Sequence, residues 1–287
     1  MNTSSILTNS SALTALESLN QTEQALSSTQ NEVSTGLKVS SAADNAAYWS
    51  ISTQLTSDGG VVNAVNDALA ESTQILSTAT SAINSIITTI NSIETALTQA
   101  SNPGADITAI QTTVSALGKQ LLDAVNGASF NGVNLLDGSQ DAAALAFVSG
   151  FNATSTGGTL DTITFQSAAL YNAGSGSLVQ SGTDLTNITV TSGATATAAL
   201  VNVQAALTAV TAYASTIGST QDRMNSASNF NSALSTNYTN GVSGLVDADM
   251  NEASTRLQAL QTQQQLGIQS LSIANQNSQL ILKLFQG

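Results

Sequence analysis

Asp247, Asp249 and Glu252 are the closest group of acidic side chains in the chain. Carboxylates this close in sequence can divide the work of general acid and general base. These three stand where a helical pattern begins, and there a plainer role competes. Negative charge is favourable beside the exposed N–H groups of a helix N-terminus. The rest of the usual toolkit is missing. With no histidine, there is no imidazole base, Ser–His dyad or zinc-protease His-Glu-x-x-His. With no cysteine, there is no disulfide, iron–sulfur or thiolate–zinc site. The other acidic residues are scattered. No enzyme activity, metal site or cofactor is therefore expected.

Composition narrows the class further. The chain has 287 residues, and charged residues make up 8 %, against roughly 25 % in ordinary soluble proteins. Ala, Ser, Thr, Asn, Gln and Leu fill the gap. Small side chains let helices approach closely, and few charges mean that tight packing rarely buries an ion. The net charge is −13 with only five Lys plus Arg. No basic stripe exists to neutralise phosphates, which argues against nucleic acid and against an anionic membrane surface. Met1 to Leu37 holds no Lys or Arg and no apolar run of signal-peptide length. No segment approaches the roughly 20 apolar residues of a membrane-spanning helix. The expectation is a chain without membrane insertion, either cytoplasmic or exported without a cleaved signal.

The elements follow from periodicity. Near the C-terminus, Met250, Ala253, Leu257, Leu260, Gln264, Gly267, Leu271, Ala274, Ser278, Ile281 and Phe285 fall at alternating steps of three and four. That is a heptad seam, interrupted by Gln264, Gly267 and Ser278. A Gly inside a helix costs about 1 kcal/mol against Ala. At the other end, Leu19, Leu26 and Val33 repeat every seven residues, beside a half-polar column that includes Leu16. Both helices are too weak to stand alone. Either the two ends pair as coiled-coil helices, or they are unrelated amphipathic helices.

Between the ends, Leu76, Ile83, Ile86, Ile90, Ile93 and Leu97 mark one long helix, closed by Asn102-Pro103-Gly104. Val114, Leu117 and Leu121 mark a second, and Leu200, Val203, Leu207 and Val210 a third. Gly36 should cap the first helix, Ser41 to Asp44 should start the next as a capping box, and Asp58-Gly59-Gly60 reads as a break. Tyr48 and Trp49 read as core anchors near a bend. From Gly127 the pattern turns to short alternating pieces and Asn-Gly and Asp-Gly turns. Ala144–Val148, Thr162–Phe165 and Leu185–Val190 read as strands. The expected fold is mainly α: an elongated nested helical bundle with paired N- and C-terminal coiled-coil helices and a small β-rich outer module. Its divisions are 1–43 with 246–287 as terminal helices, 44–136 with 195–245 as a helical shell, and 137–194 as the outer module.

Several stretches resemble bacterial flagellins. They are Ile6-Leu7-Thr8-Asn9 and the run from Glu32 through Ser34-Thr35-Gly36-Leu37-Lys38 to Asp44-Asn45-Ala46-Ala47. Further along come Phe130-Asn131-Gly132-Val133-Asn134-Leu135-Leu136-Asp137-Gly138, Gln221-Asp222-Arg223, Gln264-Gln265-Leu266-Gly267 and Ala274-Asn275-Gln276. Each is weak alone, but their order and spacing are specific. The Ala- and Gln-rich style is similar to alphaproteobacterial members. The resemblance implies a secreted, extracellular subunit of the flagellar filament that polymerises with itself for swimming motility. It implies that the terminal helices line an inner core and order on assembly. The partners it implies are hook-associated and cap proteins, a secretion chaperone and the flagellar export apparatus. The nearest alternative is a flagellin-like protein of the hook–filament junction. A surface adhesin using residues 139–193, or an enzyme inserted there, finds no aromatic cluster or histidine in support.

One departure carries a consequence. Flagellins sensed by the innate Toll-like receptor have an Arg-Glu-Leu stretch late in the first shell helix, whereas this chain reads Ile93-Glu94-Thr95-Ala96. The expected outcome is weak or absent receptor activation. A cell reporter assay giving a strong response at low dose would contradict it.

Overall fold

A computed structural model describes residues 9–140, 144–154, 157–167, 171–172, 177–178 and 184–286. At 171–172, 177–178 and from 277 onward only the backbone is described. Residues Met1 to Thr8 of the expected first helix lie outside the described residues. The chain divides into two compact units, Asp58–Thr236 and Met1–Ser57 with Asn237–Gly287.

The larger unit is built on the apolar stripe of α2 (Ala46–Ala100). Leu76, Ile83, Ile86, Ile90, Ile93 and Leu97 recur at helical spacing and are fully buried. Asn45 caps the helix, its side chain accepting from the Tyr48 amide at 3.1 Å. The expected capping box with Ser41 at the cap is therefore not formed, and the cap falls four residues later, at Asn45. Asp44 instead gathers the Ser40 and Ser41 amides and hydroxyls at 2.9 to 3.1 Å. These hydrogen bonds, the Ser41 amide first and then the two hydroxyls, hold its carboxyl below the ordinary value. The expected break at Asp58-Gly59-Gly60 does not occur, and α2 runs straight through it. Two helical glycines cost about 2 kcal/mol, and the buried Val62, Val65 and Leu69 that follow outweigh that.

The Asn102-Pro103-Gly104 turn leads to α3 (Ile107–Asn126), capped by Asp106, which accepts from the Ala109 amide at 3.0 Å. Val114, Leu121 and Val125 are buried, and Leu117 is half-buried. α4 (Gly193–Val246) begins four residues before the expected Thr197. Ser192 and Thr195 cap one another there, Thr195 Oγ1 accepting from the Ser192 amide at 2.9 Å. Val203, Val210, Ile217 and Met224 face the core. α4 contains an 18-residue window of mean hydropathy 1.3, long and apolar enough by composition to cross a bilayer. Of its large side chains, Val203, Val210, Ile217 and Met224 are buried, whereas Val201 and Phe230 are 64 and 67 % exposed.

Three hairpins complete the unit. β1 (Ser129–Phe130) and β2 (Val133–Asn134) are joined by Asn131-Gly132, both at positive φ, as the two-residue turn requires. β3 (Leu145–Thr154) pairs antiparallel with β4 (Gly157–Phe165), with a bulge between Val148 and Gly150. β5 (Tyr171–Asn172) pairs with β6 (Ser177–Leu178). The base of the β3–β4 hairpin joins the helical core. Phe147 and Phe165 lie 6.4 Å apart, Phe165 and Tyr213 6.0 Å, and the Tyr213 hydroxyl donates to Leu135 O at 2.8 Å.

Leu185–Val190 is not a strand. Leu185, Ile188 and Val190 are buried, so the alternation is real. Their backbone finds a side chain in place of a neighbouring strand. Gln111 donates to Ile188 O at 3.0 Å and accepts from the Val190 amide at 2.5 Å. Upstream, Asp184 closes a turn by accepting from the Thr186 amide at 2.9 Å. This segment presses on α3 where Gly118 stands. A Cβ there would lie 2.6 Å from Thr186 O. Gly118→Ala should therefore destabilise the protein by about 1–3 kcal/mol through overpacking. That exceeds the roughly 1 kcal/mol that helix propensity would return. A thermal melt followed by circular dichroism, showing a lower midpoint, is the check.

Candidate assembly surface

The smaller unit joins the two ends of the chain. α1 (Ser10–Thr35) carries Asn9 as its cap and ends at Gly36, whose φ of 74° is the left-handed conformation glycine adopts without strain. α5 (Met250–Gln286) is capped by Asp249, which accepts from the Asn251 amide at 2.9 Å and the Glu252 amide at 3.3 Å. So Asp249 and Glu252 serve the helix start. Among the described residues no three acidic groups gather as a metal site would need.

A clasp joins the first turn of α5 to the last turn of α1. The Ala248 amide donates to Gly36 O at 2.8 Å, and the Lys38 amide donates to Val246 O at 2.7 Å. Lys38 Nζ reaches Gly244 O at 3.1 Å, covering a carbonyl near the end of α4. Arg256 lies 3.8 Å from Glu32 and bonds Glu252 at 2.5 Å. Arg256 and Glu252 are largely exposed and Glu32, at 3.8 Å, is half-buried, so these pairs fix register more than they stabilise. At the far end, Asn9 Nδ2 donates to Ala274 O at 2.9 Å. The two helices therefore run antiparallel side by side from the clasp to Ala274, and α5 continues beyond to Gln286.

Burial along the pair is uneven. Leu26, Thr29, Val39, Val246 and Ala253 are buried, all near the clasp. Leu19, Val33, Leu257, Leu260, Leu271 and Ala274 are half-buried. Leu16 and Met250 are each 43 % exposed. Ile281 and Phe285 lie outside the residues whose side chains are described. Gly267, an interruption in the heptad pattern, sits against Leu19, and a Cβ there would lie 3.1 Å from Leu19 Cδ1. A shallow groove of about 420 Å³ beside it is lined by Ser11, Thr14, Ala15, Ser18, Gly267 and Ser270.

A second set of apolar side chains was not part of the heptad pattern. Leu13, Leu266, Ile268 and Ile273 are each more than half exposed. They lie off the α1–α5 seam, so a search for one stripe per helix passes over them. Large aliphatic residues on two faces of a polar helix are the signal that finds them. The shell seam is different in kind. Leu76, Ile83, Ile86, Ile90, Ile93, Leu97, Val114, Leu121, Val203 and Val210 are at most 1 % exposed, and Leu117, Leu200 and Leu207 are half-buried. The shell seam closes a core, although the same unit exposes Leu160, Val201 and Phe230, and the terminal pair leaves much of its own seam open.

Residues 6–141 match the bacterial flagellin N-terminal helical region, and residues 200–285 match the bacterial flagellin C-terminal helical region. A flagellin of Brucella melitensis is 41 % identical over 285 residues, covering 99 % of both chains. Flagellin C of Rhizobium meliloti is 37 % identical over 98 % of this chain and 99 % of its own length. Flagellin FljM of Caulobacter vibrioides is 32 % identical over 98 % of each.

Two substitutions test the surface. Leu26→Asp places a charge in the buried part of the pair, and Leu271→Asp places one in its half-buried part. Each should abolish assembly into polymers while the 58–236 unit keeps its helix content and its unfolding transition. Electron microscopy and circular dichroism read the two effects, and normal polymer mass from either variant would remove the terminal pair from the assembly surface.

Proposed function

The chain belongs to the bacterial flagellin family, and on that premise we propose how its parts divide the work of building a filament. It is a structural subunit that self-assembles into the bacterial flagellar filament, the extracellular organelle of swimming motility. We assign residues 1–43 and 246–287 to the filament's inner core, 44–136 and 195–245 to the surrounding shell, and 137–194 to an outward module. The assembly seam is Leu16, Leu19, Leu26, Val33, Met250, Leu257, Leu260, Leu271, Ala274, Ile281 and Phe285. Leu76 to Leu97, Val114 to Leu121 and Leu200 to Val210 hold the shell together.

The observation that supports this division is the half-covered terminal pair. Burying a Leu or Ile fully is worth about 1.5–3 kcal/mol. Leu13, Leu16, Leu266, Ile268 and Ile273 are 43–60 % exposed. Covering them with neighbouring subunits would contribute roughly 5 kcal/mol per chain. Such helices are marginal in the free subunit and order on assembly. That property also suits passage through the flagellar export apparatus. In this reading a secretion chaperone holds the C-terminal helix beforehand, and hook-associated and cap proteins meet the subunit at the filament's two ends. The subunit has no catalytic role and needs no cofactor.

Seeded polymerisation tests the reading. Full-length protein should extend filament seeds into long tubes with a gain in helix by circular dichroism. A chain truncated to residues 45–245 should do neither. Full-length protein that fails to extend seeds, with its ends already helical when free, would overturn the assignment.

A further inference from the structure

Tyr48, Trp49 and Ile51 occupy one turn at the start of α2, in the same unit as the terminal pair, and are 45, 40 and 50 % exposed. Aromatics are 4 % of this chain, and Trp49 is its one tryptophan. The expected role as core anchors is therefore not what the structure shows. This part of α2 already has a covered face of its own. Ser52 is buried, and Leu55 is half-buried beside Gly241, where a Cβ would lie 3.6 Å from Leu55 Cδ1. Three large apolar side chains within four positions make a patch of the kind that marks interaction sites.

Charge decides what covers it. Residues 45–57 contain no Asp, Glu, Lys or Arg. Nucleic acid or an anionic lipid surface would need cations here, and a net charge of −13 repels both. A second copy of this chain carries the same −13, and two copies meet with least repulsion where neither is charged. The patch also belongs to the unit whose terminal helices expose Leu13, Leu16, Leu266, Ile268 and Ile273. We infer that the Tyr48–Ile51 turn is a subunit–subunit contact of the filament, seated against a second copy and extending the assembly surface from the terminal helices onto α2. This rests on the filament reading above.

Trp49 reports on its own position. Emission and acrylamide quenching should be compared between free full-length subunits and filaments verified by electron microscopy. The expected result is a blue shift and a severalfold fall in quenching on polymerisation. Normal filaments in which Trp49 stays as accessible as in the free subunit would overturn the contact and leave the filament function intact. Shielding of Trp49 in the free subunit would overturn it as well, and so would shielding by phosphatidylcholine vesicles without shielding on polymerisation. Absence of filaments would remove both the filament reading and the contact. A Tyr48→Ser, Ile51→Ser double variant keeps the reporter. It should raise the critical concentration for assembly about tenfold with unchanged helix content in the free subunit, and an unchanged critical concentration counts against the inference.

Discussion

An apolar seam that one partner cannot saturate governs this structure. Between α1 and α5, Gly267 leaves room for the Leu19 side chain, and Ser11, Ala15, Ser18 and Ser270 line a groove beside it. Leu13 and Ile268, off that seam, are each more than half exposed. A pair of this kind has its register fixed and its burial incomplete, and in the proposed filament further copies would complete it by mass action. In the larger unit the long aliphatic stripes meet each other and the aromatic base of the β3–β4 hairpin, so its core is closed even though Leu160, Val201 and Phe230 stay exposed.

The clasp between residues 36–39 and 244–248 makes the open seam workable. Backbone hydrogen bonds there are directional and independent of side-chain chemistry, so they set the relation of the chain's ends without consuming apolar surface. Lys38 and Arg256 both act at this clasp in a chain with five basic residues. Charges placed near the buried half of the pair cost little, because Arg256 is about half exposed. Along the rest of α1 and α5 the side chains that line the groove are small and uncharged, which leaves another helix free to approach without desolvating an ion.

Periodicity carried most of the fold. The α2, α3 and α4 stripes are legible because a closed core obeys a 3.6-residue repeat. The Asn131-Gly132 turn is legible because it needs positive φ at both positions. Local signals misled where tertiary context outweighed them. Asp58-Gly59-Gly60 is a breaker by propensity, yet buried valines on its C-terminal side carry the helix through. Leu185–Val190 alternates like a strand, yet Gln111 supplies the backbone partners from another element, and no local pattern foretells that. Ser41 and Asp44 have the spacing of a capping box, but the cap falls at Asn45 and Asp44 instead gathers Ser40 and Ser41.

The surface of the terminal unit was the least legible part, and the reason is physical. A heptad search presumes that each helix has one buried stripe, set by one partner. A subunit that packs on several neighbours has several stripes, each only partly apolar, and each reads as an interruption of the others. Leu16 belongs to the heptad column and is 43 % exposed, while Leu266 stands outside it and is 58 % exposed. The sole tryptophan shows the same effect more sharply. In a free-standing domain a lone Trp beside a Tyr is most economically buried, and composition alone points that way. In a chain whose contacts are completed by its own copies, an exposed aromatic turn such as Tyr48–Ile51 is instead the part of the surface that solitary folding leaves unfinished.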